Sequence, residues 1–163
     1  MSNGQILHGE QDGVQILYYK GDVRHTLCVA LDAYITKLLN TTGLKGFVVD
    51  LTEAESIDST NLGILARLAR SMQRANLPKV TLISNQPDIN ELLEAVGFDR
   101  VFHIVQERET ALNKLSEIPL HTSGHENNIK LLLEAHRALM DLNGKNREQF
   151  SDVVKAFESE LKQ

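Results

Sequence analysis

The chain has 163 residues, 42% of them hydrophobic and 24% charged, with 10 Gly and 3 Pro, which fits a globular protein with one core and excludes a disordered or collagen-like one. Seventeen Lys and Arg against 22 Asp and Glu leave a net charge of −5, and aromatic residues are only 5% with no Trp, so no direct nucleic-acid partner is expected. With one cysteine, no apolar run near the roughly 18 residues of a membrane span and no secretory pattern at its start, the chain reads as soluble and cytoplasmic.

Val14 to Lys20 is rich in β-formers and ends at Gly21-Asp22, and a weaker strand spans Gln5 to His8, so the chain opens on a hairpin that turns near Gly13. Thr26 is placed to cap a helix whose apolar face runs through Leu27, Leu31, Tyr34, Ile35, Leu38 and Leu39. Phe47-Val48-Val49 predicts a short strand covered on both faces and ending at Asp50. Leu62 to Arg74 has helical spacing, Val80 to Ile83 is a strand, and Pro87 to Val96 is a helix with Pro in its first turn and Gly97 as its stop. Val101 to Val105 is a last strand, followed by a helix from near Glu107 through Leu115. Strands alternating with helices imply parallel neighbours joined by right-handed crossovers, and the opening hairpin adds an antiparallel pair. The fold class is α/β, a mixed sheet with helices packed on it.

Residues 116–126 (SEIPLHTSGHE) lose periodicity and concentrate Pro, Gly, Ser and His, which marks a linker after a domain spanning 1–115. Residues 127–163 form a C-terminal helical hairpin. Ile129, Leu132, Leu133, His136, Leu139 and Met140 line its first helix, and Phe150, Val153, Val154, Phe157 and Leu161 its second. Asn143-Gly144 breaks the two, and Asn146 with Gln149 is a capping-box variant at the second start. These stripes need burial against the domain, against a partner, or in a homodimer through the C-terminal helices.

The stretch most informative about function is Asp50 to Gly63 (DLTEAESIDSTNLG), an acidic loop between a strand and an amphipathic helix. At a helix mouth the backbone N–H groups lack intrahelical acceptors and the dipole presents partial positive charge. Asp58, Ser59 and Thr60 occupy that mouth. One of them is expected to cap the helix, and Ser59 is the candidate for modification, since a phosphoryl group there adds about −1.5 to −2 charges beside Asp58, Glu53 and Glu55.

Asp58-Ser59-Thr60-Asn61-Leu62-Gly63 resembles the D-S-[S/T]-G-L-G motif of the STAS domain family, in particular the bacterial anti-sigma factor antagonists. Tyr19-Lys20-Gly21-Asp22, Phe47-Val48-Val49-Asp50 and Glu94-Ala95-Val96-Gly97-Phe98 are similar to further landmarks of that family. Asn61 stands where the family usually has Gly, and near Gly21 Arg24 stands where it has an acid, with Asp22 offering a carboxylate at a shifted position. The resemblance implies that Ser59 is a phosphoacceptor. It further implies that Asp22, Asp58, Thr60, Asn61, Leu62 and Gly63 face a partner, an anti-sigma factor with serine kinase activity, and that a serine phosphatase resets the switch. It also implies an alternative, a non-catalytic STAS subunit of a lipid-transport ABC complex. No cofactor is implied in either case.

The remaining candidates are weaker. Arg67, Arg70 and Arg74 share one helix face, which reads as a solvated stripe. No His or Cys spacing matches a metal site, His136 falls on the apolar side of its helix, and Cys28 has no companion cysteine or base. Asp50 lacks neighbouring magnesium-holding acids, and Ser59 lies in no G-x-S-x-G elbow, so no catalytic residue is expected.

Overall fold

In the computed structural model, which describes residues 3–107, 115–118 and 124–162, strands β1 (Gln5–Gln11) and β2 (Val14–Val23) pair antiparallel across a two-residue turn. Asp12 and Gly13 have φ of 51° and 85°, the two left-handed residues that match the twist of a tight hairpin. A Cβ on Gly13 would also lie 2.8 Å from the Gly43 carbonyl oxygen, so glycine is required there on both counts. The strand does not stop at Gly21. That residue, with φ 73°, sits beside a register irregularity, and β2 continues to Val23 along its parallel neighbour.

That neighbour, β3, runs from Gly46 to Ile57 rather than ending at Asp50. In its second half Leu51, Ala54 and Ile57 are buried while Glu53 and Glu55 are exposed, so a segment that looks like an acidic loop by composition is a half-solvated strand. Lys20 pairs with Glu53, Asp22 with Ser56 and Val23 with Ile57. On the other side β4 (Thr81–Ile83) pairs only as far as Asp50. Beyond that point the Gln86 side-chain amide donates to the Thr52 and Ala54 carbonyls at 2.5 and 2.9 Å, replacing ladder bonds that β4 does not supply.

The sheet order is β5-β4-β3-β2-β1-β6, with β5 at His103–Val105 and β6 at Ser116–Glu117. Strands β2 to β5 are mutually parallel and β1 is antiparallel to both its neighbours. Ser116 and Glu117, assigned above to the linker, thus form an edge strand, and the Ile118 N–H bonds the Ile6 carbonyl at 3.0 Å. Two exposed polar residues carry no alternation from which this could be read. Residues 108–114, where a helix is expected, and 119–123 of the linker lie outside the described residues.

Helices α1 (Cys28–Leu39), α2 (Ser59–Arg74) and α3 (Pro87–Ala95) flank the sheet. Thr26 lies within a 3₁₀ turn, His25–Leu27, that leads into α1 instead of capping it. Leu17, Tyr19, Phe47, Val49, Leu51, Leu65, Leu68, Met72, Leu82 and Phe98 are fully enclosed between the layers.

Helices α4 (His125–Met140) and α5 (Gly144–Leu161) pack against each other, and α4 packs on α2. The hairpin is therefore buried against its own domain. Asn143, not Asn146, caps α5, its side chain accepting the Asn146 N–H at 2.8 Å. Asn146 is fully buried and donates to the Val96 carbonyl at 2.8 Å and the Leu139 carbonyl at 2.9 Å, tying the turn of the hairpin to the end of α3. Among the described residues no helix is long and apolar enough to cross a membrane.

Candidate functional site at the mouth of helix α2

Strand β3 passes into α2 through Asp58, whose extended backbone (φ −82°, ψ 169°) makes it the N-cap. Its Oδ1 accepts both the Asn61 N–H and the Asn61 side-chain amide at 3.0 Å, and its own N–H bonds the Val23 carbonyl at 3.1 Å. Of the three residues able to cap the helix, Asp58 does so. The Ser59 hydroxyl, at the first helical position, is left for another bond.

That bond crosses to α4. Ser59 Oγ lies 2.8 Å from His136 Nε2, a partner 77 residues away in sequence. His136 Nδ1 is 2.7 Å from the Leu132 carbonyl oxygen, which can only accept. In the neutral imidazole Nδ1 therefore keeps the proton and Nε2 accepts from the Ser59 hydroxyl. The ring is 4% exposed, with Phe150 and Phe157 at centroid distances of 5.8 and 5.5 Å. Ser59 itself is half-buried.

One turn along α2 the two helices meet backbone to backbone. A Cβ on Gly63 would lie 2.1 Å from the Ala135 carbonyl oxygen, a distance no side chain tolerates. A turn further, Arg67 bonds Asp32 of α1 at 3.0 Å and Glu134 of α4 at 3.3 Å, and Arg70 bonds Asp141 at 3.2 Å. Two of the three arginines of the supposed solvated stripe thus brace the hairpin, and of the three Arg74 alone is exposed.

At the other side of the mouth Asp22 receives the Ser56 hydroxyl on one oxygen and the Arg24 guanidinium on the other. The Ser56 hydrogen bond, helped by Arg24, holds the Asp22 carboxyl below the usual carboxylate range. His25 Nδ1 stands 3.7 Å from Asp58 Oδ2. The fold thus gathers Asp22, Arg24, His25, Asp58 and Ser59 on one rim. Thr60, Asn61 and Leu62 are 4%, 0% and 1% exposed, and Gly63 lies under α4.

The Ser59–His136 pair has the contact of a nucleophile with its base, the base being oriented by a third group. A cavity of about 560 Å³ opens at the far end of α2, between Arg70, Leu77, Lys79, Arg100 and Asp141, and a space of about 30 Å³ lies by Gly4 and Ile118; neither is lined by Ser59 or His136. Asp50 is fully buried and accepts from the Thr52 N–H and hydroxyl, which makes it a structural carboxylate. Burial, and then the charges of Asp58 and Asp32, push the Cys28 thiol up to about 11, which keeps it protonated and inert near neutral pH. Among the described residues no His, Cys, Asp and Glu group could hold a metal ion.

The sequence profile of the STAS domain matches residues 6–111, from β1 to beyond β5. The chain belongs to the STAS domain family. An anti-sigma factor antagonist from Mycobacterium paratuberculosis is similar in structure, with a TM-score of 0.52 at 22% identity over 63% of this chain and 85% of that one. The Bacillus cell-fate determinant SpoIIAA in its phosphorylated form has a TM-score of 0.54 at 12% identity over 66% of this chain and 93% of that one. These likenesses show the fold. The profile match ends at residue 111, before α4 and α5, and α4 packs on the helix that carries Ser59.

His25 and His136 are the site residues that sequence reading missed. His136 was legible only as a histidine on an apolar stripe, because nothing local connects it with a serine 77 residues away. His25 sits in an unremarked turn before α1, and only the pairing of β2 with β3 brings it to Asp58.

Proposed function

We propose that the protein is a partner-switching module of the anti-sigma factor antagonist type, in which Ser59 is the phosphoacceptor and helix α2 with its rim is the docking surface. The observation that carries this reading is a half-buried serine hydroxyl at the first position of α2, directly after an aspartate cap, in a STAS domain. The N-terminal end of a helix favours an anion, because its first N–H groups lack intrahelical acceptors and the dipole is positive there. A phosphoryl group adds about −1.5 to −2 charges beside Asp58. Within a docked interface that charge would be unpaired, and an unpaired buried charge costs about 3–5 kcal/mol. The unmodified chain therefore binds its partner, an anti-sigma factor with serine kinase activity, and the phosphorylated chain lets go until a serine phosphatase restores it. The reactions belong to the partners. This chain supplies the hydroxyl and the surface.

On a phosphate-affinity gel, protein taken from its own cells is expected to split into two bands, and the Ser59→Ala chain into one. A wild-type chain that never shifts, together with a Ser59→Asp chain that behaves like wild type, would instead favour a structural subunit of a lipid-transport complex.

A further inference from the structure

Three successive residues of α4 engage three successive turns of α2. Glu134 pairs with Arg67, the Ala135 backbone rests on Gly63, and His136 accepts from the Ser59 hydroxyl. Gly63 and Ser59 are the residues on which the proposed docking surface depends, and this chain's own hairpin already holds both.

We propose that the α4–α5 hairpin is the resting occupant of the docking face, and that a partner reaches Ser59 only by displacing it. This rests on the partner-switching reading. Once phosphorylated, Ser59 Oγ is an ester oxygen with no proton to give Nε2, so the modification removes its bond to His136, a residue 4% exposed and set among two phenyl rings. In this scheme phosphoryl transfer follows unseating of the hairpin. The seam is suited to exchange. Its ion pairs lie at partly exposed positions where water readily replaces them, and its central contact needs only a residue without bulk. The partner element that fits is a helix presenting an acid to Arg67, a small residue to Gly63 and a hydrogen-bond acceptor to Ser59, the order seen in Glu134-Ala135-His136.

The test uses the full chain with Cys28→Ser and Ser59→Cys, labelled in parallel with N-ethylmaleimide and with a maleimide on a bulky polyethylene glycol. The ratio of the two rates cancels thiol reactivity and reports access alone. Gly63→Ala, which places a Cβ against the Ala135 carbonyl, is expected to raise the ratio of bulky to small reagent about tenfold through easier local opening. Glu134→Arg, a change at a half-exposed position that sets two cations face to face, is expected to raise it several-fold. An unchanged ratio in both variants overturns the gate and leaves the phosphorylation of Ser59 standing. A raised ratio, together with wild-type chain from cells that never carries phosphate on Ser59, keeps the gate and removes the switch.

Discussion

An Asn146→Ala chain is expected to keep its STAS domain folded and to lose about 2 kcal/mol of hairpin docking. The side-chain amide of Asn146 reaches two carbonyls, of Val96 and Leu139, from a fully buried position. Truncation leaves both acceptors away from water, at about 1–3 kcal/mol for an unsatisfied buried group. Asn143 Nδ2, already 3.4 Å from the Val96 oxygen, recovers part of that. Hydrogen exchange read by mass spectrometry should show α4 and α5 exchanging roughly thirtyfold faster, since each 1.4 kcal/mol is a factor of ten. The amides of β3 and β4 should keep their protection. Equal loss of protection across sheet and hairpin would mean that the two unfold as one unit and that the hairpin is no separate element.

Asp58→Ala should have a larger effect on overall stability, about 3 kcal/mol in urea denaturation. One part is the lost cap, about 1 kcal/mol. The rest comes from the Asn61 side-chain amide, on a residue 0% exposed, which also donates to Asp58 Oδ1. Without that oxygen this second buried donor is left over, at about 1–3 kcal/mol. Asp58→Asn keeps an oxygen in the same place and should stay within about 1 kcal/mol of wild type. The contrast separates the geometric role of Asp58 from its charge. A loss equal to that of alanine in the Asp58→Asn chain would place the stabilisation in the carboxylate charge, opposite the α2 dipole, rather than in the cap.

The order of strands and helices through β5 was legible because the apolar periods are strong and the punctuation is local: Gly13 in the first turn, Pro87 opening α3, Gly97 closing it. What was not legible depends on pairing at a distance. The second half of β3 reads as a loop because alternation with Glu53, Glu55 and the small Ala54 lacks β-formers, and only the edge of β2 makes it a strand. β6 is too short and polar to announce itself. At the site, that one of Asp58, Ser59 and Thr60 caps α2 followed from local chemistry, while which of them does so is settled by the backbone of Asp58. The surface around them did not. Thr60, Asn61, Leu62 and Gly63 look available in the sequence but are buried, and nothing there signals that α4 returns over Gly63. The one hint is Gly63 itself, a glycine inside a helix that would form better with alanine, which its contact with Ala135 explains.

In the proposed switch a charge on Ser59 decides whether the protein holds its partner. The direct measurement is a pair of titrations of one purified partner, recovered on immobilised Ser59→Ala chain, against the same preparation of wild-type chain phosphorylated on Ser59, before and after phosphatase treatment. The phosphorylated chain should bind at least about a hundredfold more weakly, the factor expected from about 3 kcal/mol of unpaired interfacial charge, and the treated chain should recover full affinity. Equal affinity in both states would contradict it.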